Sequence, residues 1–143
     1  MKIDNILFCD DIRKEISNKF TLVGCYNDRI LLNAKAEIKW PIGVKMGIYL
    51  RILREQGDPV VNKFKLELYD SQEALFTAEG ELLNGEHNRP LILALVAPFA
   101  FKRPGPLRPI VTITGTDGSE QVLRTEFDFR LEIAQIEGVS DGK

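Results

Sequence analysis

The stretch VKMGIYLRILR, residues 44–54, decides the fold because its apolar residues recur at every second position. The even positions are all apolar: Val44, Met46, Ile48, Leu50 and Ile52. The odd positions between them include Lys45, Tyr49 and Arg51. This alternation is typical of a strand with one buried and one solvated face, whereas a helix would turn the charged side chains into the core.

The same period recurs on both sides of this stretch. In KFKLELYD, residues 63–70, Phe64, Leu66 and Leu68 share one face. Near the end of the chain a further alternation predicts one strand whose inward residues are Leu123, Thr125, Phe127, Phe129 and Leu131. Weaker patterns predict strands at 3–9, 20–26, 30–40, 74–83 and 110–114, the last with Val111 and Ile113 inward.

Residues 91–101, LILALVAPFAF, contain no charged side chain. Large residues occupy the odd positions and mostly small ones the even positions, so both faces of such a strand are apolar. Strands that are buried on both faces have this composition. The stretch therefore predicts a central strand or one that lies beneath a loop.

Turn-forming residues separate these stretches, as in Gln56-Gly57-Asp58-Pro59, Asn84-Gly85 and Asp117-Gly118. The motif Arg103-Pro104-Gly105-Pro106 is expected to interrupt strands, because proline lacks the N–H of the ladder. About eight or nine short strands with such turns predict an all-β fold with little helix. We expect an antiparallel β-sandwich, C2-like or immunoglobulin-like, that forms one domain over 1–136 and leaves 137–143 as a flexible tail.

The composition excludes several classes of protein. The chain has 143 residues, of which 44% are hydrophobic, and a net charge of −2, so nothing drives it globally toward nucleic acid or an anionic membrane. Its longest apolar run, 91–100, is about half of what a membrane-spanning helix needs. The opening MKIDNILFCDD does not have the pattern of a secretory signal. We therefore expect a cytoplasmic protein that has no contact with a membrane.

Two cysteines, Cys9 and Cys25, flank a charged segment near the start. In a reducing compartment they are expected as free thiols, although a position opposite each other in a hairpin would let them pair on oxidation. Between them we expect residues 10–19 to connect two strands, with Arg13 paired to Asp10 or Asp11. Contact of Asp11 and Arg13 with an anion or a partner is the alternative.

Catalytic motifs are absent from the sequence. His87 is the single histidine and lies in a turn-rich stretch, and the GxSxG, GxxxxGK[ST] and GxGxxG patterns do not occur. Asp58, Asp70 and Asp117 lie singly in separate turns, unlike a calcium-binding cluster. The sequence therefore predicts no cofactor and no metal, and an enzyme that uses the carboxylates of Asp10, Asp11 and Asp117 is only an alternative.

Two basic features are candidate contact regions. The first is the rigid Pro-Gly-Pro loop, which would project its neighbours toward a protein partner: Lys102, Arg103 and Arg108. The second is a solvated sheet face that could bind a ligand or nucleic acid by stacking and phosphate neutralisation: Lys45, Tyr49, Arg51 and Lys65, together with Lys63 and Tyr69. Glutamates lie among these residues, which argues against nucleic acid.

The motif Asp10-Asp11-Ile12-Arg13-Lys14-Glu15, followed by Leu22-Val23-Gly24-Cys25-Tyr26, resembles an uncharacterised bacterial family of small single-domain proteins. Members open with an acidic turn and a Leu-x-Gly-x-aromatic strand, and Pro104-Gly105 through Asp117-Gly118 is similar to their later hairpin. The usual aromatic is replaced here by Leu107. The resemblance implies a β-sandwich and a bacterial source, and it carries no implication about activity.

Together these patterns favour a non-enzymatic β-sandwich that binds another protein or itself. Exposed sheet edges are the most general means of such binding, because an unpaired edge can accept a further strand. A module that binds a ligand or nucleic acid through the basic face is the alternative interpretation.

Overall fold

The computed structural model describes residues 1–34, 37–82, 89–126 and 128–135. These residues form ten strands and no helix. In chain order the strands are β1 (Lys2–Glu15), β2 (Lys19–Cys25), β3 (Arg29–Ala34), β4 (Ile42–Leu53), β5 (Val61–Tyr69), β6 (Ala74–Glu81), β7 (Leu91–Phe101), β8 (Gly105–Gly115), β9 (Glu120–Arg124) and β10 (Phe129–Gln135). Within the described ranges no helix is long and apolar enough to cross a membrane.

The strands form two sheets, which confirms the predicted β-sandwich. The first sheet has four strands in the order β2-β1-β4-β7. The second has the order β3-β10-β8-β5-β6, and β9 also pairs with β8. Neighbouring strands are antiparallel except β3 and β10, which run parallel. The described residues thus contain ten strands where the sequence predicted about eight or nine.

The core lies between the sheets, and the alternation of β4 predicts its own part of it. Met46, Ile48, Leu50 and Ile52 are each fully buried. Leu66 and Leu68 of β5 and Val111 and Ile113 of β8 contribute the facing side, as the sequence predicted. Phe8 of the first sheet meets Phe129 of the second edge to face, with ring centroids 4.7 Å apart. Burial of each such side chain contributes about 1.5–3 kcal/mol to the free energy of unfolding.

The predicted connection over 10–19 is mostly strand. β1 continues to Glu15, which pairs with Lys19 of β2, and the turn is confined to the three residues between them. Ser17 and Asn18 of this turn have φ angles of 68° and 57°. The charged segment remains extended because the ladder to β2 satisfies its backbone hydrogen bonds without requiring apolar side chains.

The alternation over residues 123–131 belongs to two strands, not one. β9 ends at Arg124 and β10 begins at Phe129. Both pair with β8, β9 through Ile110–Thr114 and β10 through Gly105–Leu107. Leu123, Phe129 and Leu131 are buried as predicted, whereas Phe127 lies outside the described residues. A pattern of period two cannot detect that the chain changes its position along β8 between the two strands.

The prolines near residue 104 do not exclude a strand. β8 begins at Gly105, and Pro106 pairs opposite Arg130 of β10. Pro109 lies between the segment of β8 that pairs with β10 and the segment that pairs with β9. A missing N–H is tolerated at a strand start or where a neighbouring ladder is interrupted, which explains why the predicted interruption is absent.

β7 is a strand over Leu91–Phe101, as predicted, but of its two expected positions, central or beneath a loop, the central one is wrong for the described residues. It pairs with β4 on one side and is the last strand of the first sheet. The apolar composition of both its faces therefore did not indicate that a strand lies on each side of it. The predicted strand over 30–40 is shorter, and the predicted tail at 137–143 lies outside the described residues.

Candidate functional site

The hairpin of β1 and β2 extends beyond the first sheet and lies against its outer face. The pairing of β1 with β4 ends at Cys9 and Gly47, and beyond that point β2 is the one strand among the described residues that pairs with β1. Ile12 lies over Gly47, where an added Cβ atom would be 2.8 Å from Ile12 Cγ1. We call residues 12–22 the hairpin arm. Gly47 permits the arm to approach because it has no side chain on the outer face of β4.

A cleft of about 590 Å³ separates the hairpin arm from the sheet. On the arm side it is lined by Phe20 and Leu22, and on the sheet side by Tyr49 of β4 and Ile92 of β7. The rings of Phe20 and Tyr49 are edge to face with centroids 6.1 Å apart. Lys14, Asn18 and Lys19 of the arm also line this space, so its walls carry both apolar and polar side chains.

Asp10 and Asp11, which directly precede the hairpin arm, each contact a neighbouring side chain. The Tyr26 hydroxyl donates to Asp10 Oδ1 over 3.2 Å, and the Asp10 carboxylate lies against Gly24, whose φ is 65°. Burial, followed by the charge of Asp10, raises the pKa of Tyr26. Arg13 Nε lies 3.8 Å from Asp11 Oδ2, which confirms the pairing predicted for Arg13. Asp11 and Arg13 stay partly exposed, and their proposed contact with a partner stays a prediction.

Cys9 and Cys25 are direct partners in the β1–β2 register, an arrangement that the sequence had left open. Both are free thiols. Cys9 is fully buried and its Sγ lies 3.7 Å from the Gly47 carbonyl oxygen, to which it donates. Burial and then the negative groups at Cys25, Asp10 and Asp11 raise the pKa of Cys9 to about 11. Cys9 is therefore protonated at neutral pH and is not an activated nucleophile.

Arg103 does not project from its loop toward solvent. Its Nη1 donates to Oδ2 of Asp70, and its Nη2 lies 3.5 Å from Glu73 Oε2. The neighbouring Lys102 donates to Glu73 Oε1. The side chain of Asp70 is 2% exposed, and its Oδ1 accepts the backbone N–H groups of Gln72 and Glu73, each over 2.7 Å. The two basic residues are thus engaged by the β5–β6 turn.

The carboxylates of this cluster are held ionised. Burial opposes the charge of Asp70, but the N–H groups of Gln72 and Glu73 and the Arg103 charge outweigh it and lower the pKa of Asp70. Hydrogen bonding from Lys102 lowers the pKa of Glu73. Arg108, the last of the predicted contact residues, is exposed in β8 opposite Tyr69.

The alternative basic face is divided between the two sheets. Lys45, Tyr49 and Arg51 lie on β4 of the first sheet, whereas Lys65 lies on β5 of the second. A single face would require β4 and β5 to be neighbours in one sheet, but β5 pairs with β6 and β8.

The charges on each of these faces are also balanced. Arg51 is paired with Asp4 over 3.4 Å. Glu81 and Glu79 of β6 lie opposite Lys63 and Lys65, respectively. The described residues therefore provide no continuous basic face for a nucleic-acid backbone.

The carboxylates considered for catalysis lie on different elements. Asp10 and Asp11 are in β1 of the first sheet, whereas Asp117 is in the β8–β9 turn, where its Oδ1 accepts from Ser119 over 3.0 Å. Over the described ranges no three histidine, cysteine or acidic side chains form a group suited to a metal ion. His87 lies outside those ranges.

Two features of the surface were not found from the sequence. One is the cleft, whose signal is Gly47 in the middle of a strongly alternating strand, since an interior glycine often marks a close approach of another backbone. The other is the free edge of β7: within the described part of the chain, β4 is its one hydrogen-bonded strand neighbour.

No family of known proteins matches the chain, and no curated protein matches it either.

Proposed function

We propose that the protein is a non-enzymatic assembly module that self-associates by adding the β7 strand of a second copy to its own. The observation that carries the proposal is the position of β7, an uncharged strand of 11 residues at the end of a four-stranded sheet. A strand with an unpaired edge offers a row of backbone donors and acceptors to another strand.

The composition of β7 supports a second copy as the occupant. The strand carries no charge, so two antiparallel copies would meet without like-charge repulsion. Its outer face includes Ile92, which is 41% exposed and would gain an apolar neighbour in the joined sheet. Pro98 lacks an N–H, so the ladder between the two copies would be interrupted at this residue and would continue on both sides of it.

Edge strands of proteins that do not associate usually carry protective features, and β7 has few of them. Charged side chains, especially lysine, commonly block edge-to-edge pairing. In β7 the single such feature is Pro98, near one end of the strand. The neighbouring edge strand of the second sheet, β6, carries Glu79 and Glu81 and fits the protective pattern.

Sedimentation equilibrium over a wide range of protein concentration tests the proposal. We expect a reversible monomer–dimer equilibrium in the wild type. Introducing a charge at the edge in Ile92→Lys or Ala100→Lys should shift it to monomer. Val122→Lys is the matched control, because Val122 is also an outward apolar strand residue and is 53% exposed, but lies on β9.

A wild-type chain that remains monomeric at the highest concentration would overturn the proposal. The same applies if Val122→Lys weakens the dimer as much as Ile92→Lys does. Hydrogen exchange provides an independent measurement, because amides of residues 91–97 should become more protected as the dimer forms. Circular dichroism of each variant ensures that a loss of association does not reflect unfolding.

A further inference from the structure

We propose that the cleft beneath the hairpin arm binds a small anionic amphiphile, a molecule with an apolar body and one negatively charged group. This inference does not rest on self-association through β7, although Ile92 belongs both to that strand and to the wall of the cleft. It rests on the shape of the cleft, on the apolar side chains that form part of its walls and on the two lysines that line it.

The cleft has the size of a ligand site. Its volume of about 590 Å³ lies within the range of about 300–1,000 Å³ common for small-molecule pockets. One wall belongs to the hairpin arm and the other to the sheet, with Ile12 against Gly47 where the two are in contact. The space is thus made by two packed elements of the chain and does not depend on a single surface side chain.

The walls suit an apolar body. Phe20 and Leu22 on the arm face Tyr49 and Ile92 on the sheet. Phe20 and Tyr49 are edge to face at 6.1 Å and leave aromatic surface that a ring or an acyl chain could contact. Transfer of such a body from water is favourable by about 25 cal/mol for each Å² of apolar area buried.

The charge beside the cleft is positive. Lys14 and Lys19 line it, and no aspartate or glutamate does among the described residues. Glu15 lies opposite Lys19 in the ladder. Across the described part of the chain, however, no carboxylate lies within ion-pairing distance of Lys14 or Lys19. Lys14 lies directly opposite Phe20 in the ladder, on the same face of the arm, so its ammonium group is available to a carboxylate, sulfonate or phosphate on the ligand. Lys19 lies at the turn end of the arm and adds positive charge beside the cleft. A cationic or neutral body would gain nothing from these charges.

Fluorescence titration with 1-anilinonaphthalene-8-sulfonate tests the proposal, because this probe combines an aromatic body with one sulfonate. N-phenyl-1-naphthylamine has the same body without the charge. We expect saturable binding of the anionic probe, weaker binding of the neutral one, and displacement of the anionic probe by dodecanoate.

The double variant Lys14→Gln/Lys19→Gln should weaken binding of the anionic probe about tenfold and leave the neutral probe unchanged. The matched control is Lys39→Gln/Lys45→Gln, which removes the same charge from exposed lysines that do not line the cleft. Tyr49→Ala should weaken both probes, since it removes part of the apolar wall. Ala100→Lys should change neither, which separates the cleft from the edge of β7.

Any of three titration results would overturn the proposal: no saturable binding of the anionic probe, equal affinity for the two probes in the wild type, or equal losses in the two lysine double variants. A fourth result would also overturn the proposal. If the protein cosediments with phosphatidylglycerol vesicles and free dodecanoate does not displace the probe, the lysines bind a membrane surface and not a small ligand. Failure of self-association would leave these titrations unaffected.

Discussion

Cys9 and Cys25 show how a single residue's surroundings decide its chemistry. They are partners across the same ladder, yet Cys9 is fully buried beneath the hairpin arm and Cys25 is exposed. The Cys9 thiol donates to the Gly47 carbonyl oxygen, and burial raises its pKa to about 11. Because the thiolate is the reactive form, the two thiols should differ strongly in reactivity.

We expect iodoacetamide to alkylate Cys25 in the native protein and to leave Cys9 unmodified until the chain unfolds. Mass spectrometry of peptides after timed quenching measures both rates, and a urea-unfolded sample is the control in which both thiols react. Equal native rates would contradict the burial of Cys9. The Cys25→Ser variant should then show almost no native alkylation.

Gly47 acts at the scale of an element because it determines where the hairpin arm can lie. A Cβ at this position would be 2.8 Å from Ile12 Cγ1 and 3.0 Å from Cys9 Sγ. Both contacts are closer than packed side chains tolerate, so the arm would have to move away from β4. Gly43 in the same strand provides the contrast, because nothing lies within 4 Å of the corresponding Cβ position.

Gly47→Ala should lower the free energy of unfolding by about 1–2 kcal/mol through overpacking. Gly43→Ala should change it by less than about 0.5 kcal/mol, as is usual for exposed positions. Urea denaturation measures both changes. Displacement of the arm should also speed tryptic cleavage after Lys14 and Lys19 in Gly47→Ala, and identical cleavage in the two variants would contradict the packing of Ile12 on Gly47.

For the molecule as a whole, the cluster around Asp70 links the two sheets. Asp70 and Glu73 belong to the β5–β6 turn of the second sheet, and Arg103 lies in the connection from β7 of the first sheet to β8 of the second. The Asp70 side chain is 2% exposed and that of Arg103 is 24% exposed, so water screens this pair less than the other arginine pairs on the surface.

The lowered pKa of Asp70 makes this contribution depend on pH. A carboxyl whose folded pKa lies below its unfolded value of about 3.9 stabilises the fold above that value, and the stabilisation is lost as pH falls through the folded pKa. Asp70→Asn should therefore lower the free energy of unfolding by about 2 kcal/mol at neutral pH. The difference from the wild type should shrink toward zero in acid.

Urea denaturation of both proteins at neutral and acidic pH measures this difference. Asp28→Asn is the control, because Asp28 also lies near an arginine but its side chain is 84% exposed. The control should match the wild type at every pH. If the free energy of unfolding of Asp70→Asn stays equally far below that of the wild type in acid, the cluster stabilises the protein by packing, without a contribution from the ion pair.

Much of the fold could be predicted from the sequence because burial alternates locally. The inward residues of β4, β5 and β8 follow from a period of two, and Leu123, Phe129 and Leu131 were placed correctly although their strand was divided. Less of the candidate site could be predicted. Arg103 was expected to point outward because its buried partner, Asp70, lies 33 residues away in the chain. The predicted basic face was divided between the two sheets for the same reason, because the sheet that each strand joins depends on residues far away in the chain.

The sequence by itself determined that the chain forms strands and which side chain of each strand faces the core, because both depend on the spacing of neighbouring residues. Only the tertiary structure decided which sheet each strand joins, that β7 ends its sheet, and that the hairpin arm covers Gly47. Pairing between strands depends on contacts between residues far apart in the chain, and the pattern within one strand carries no information about its neighbour.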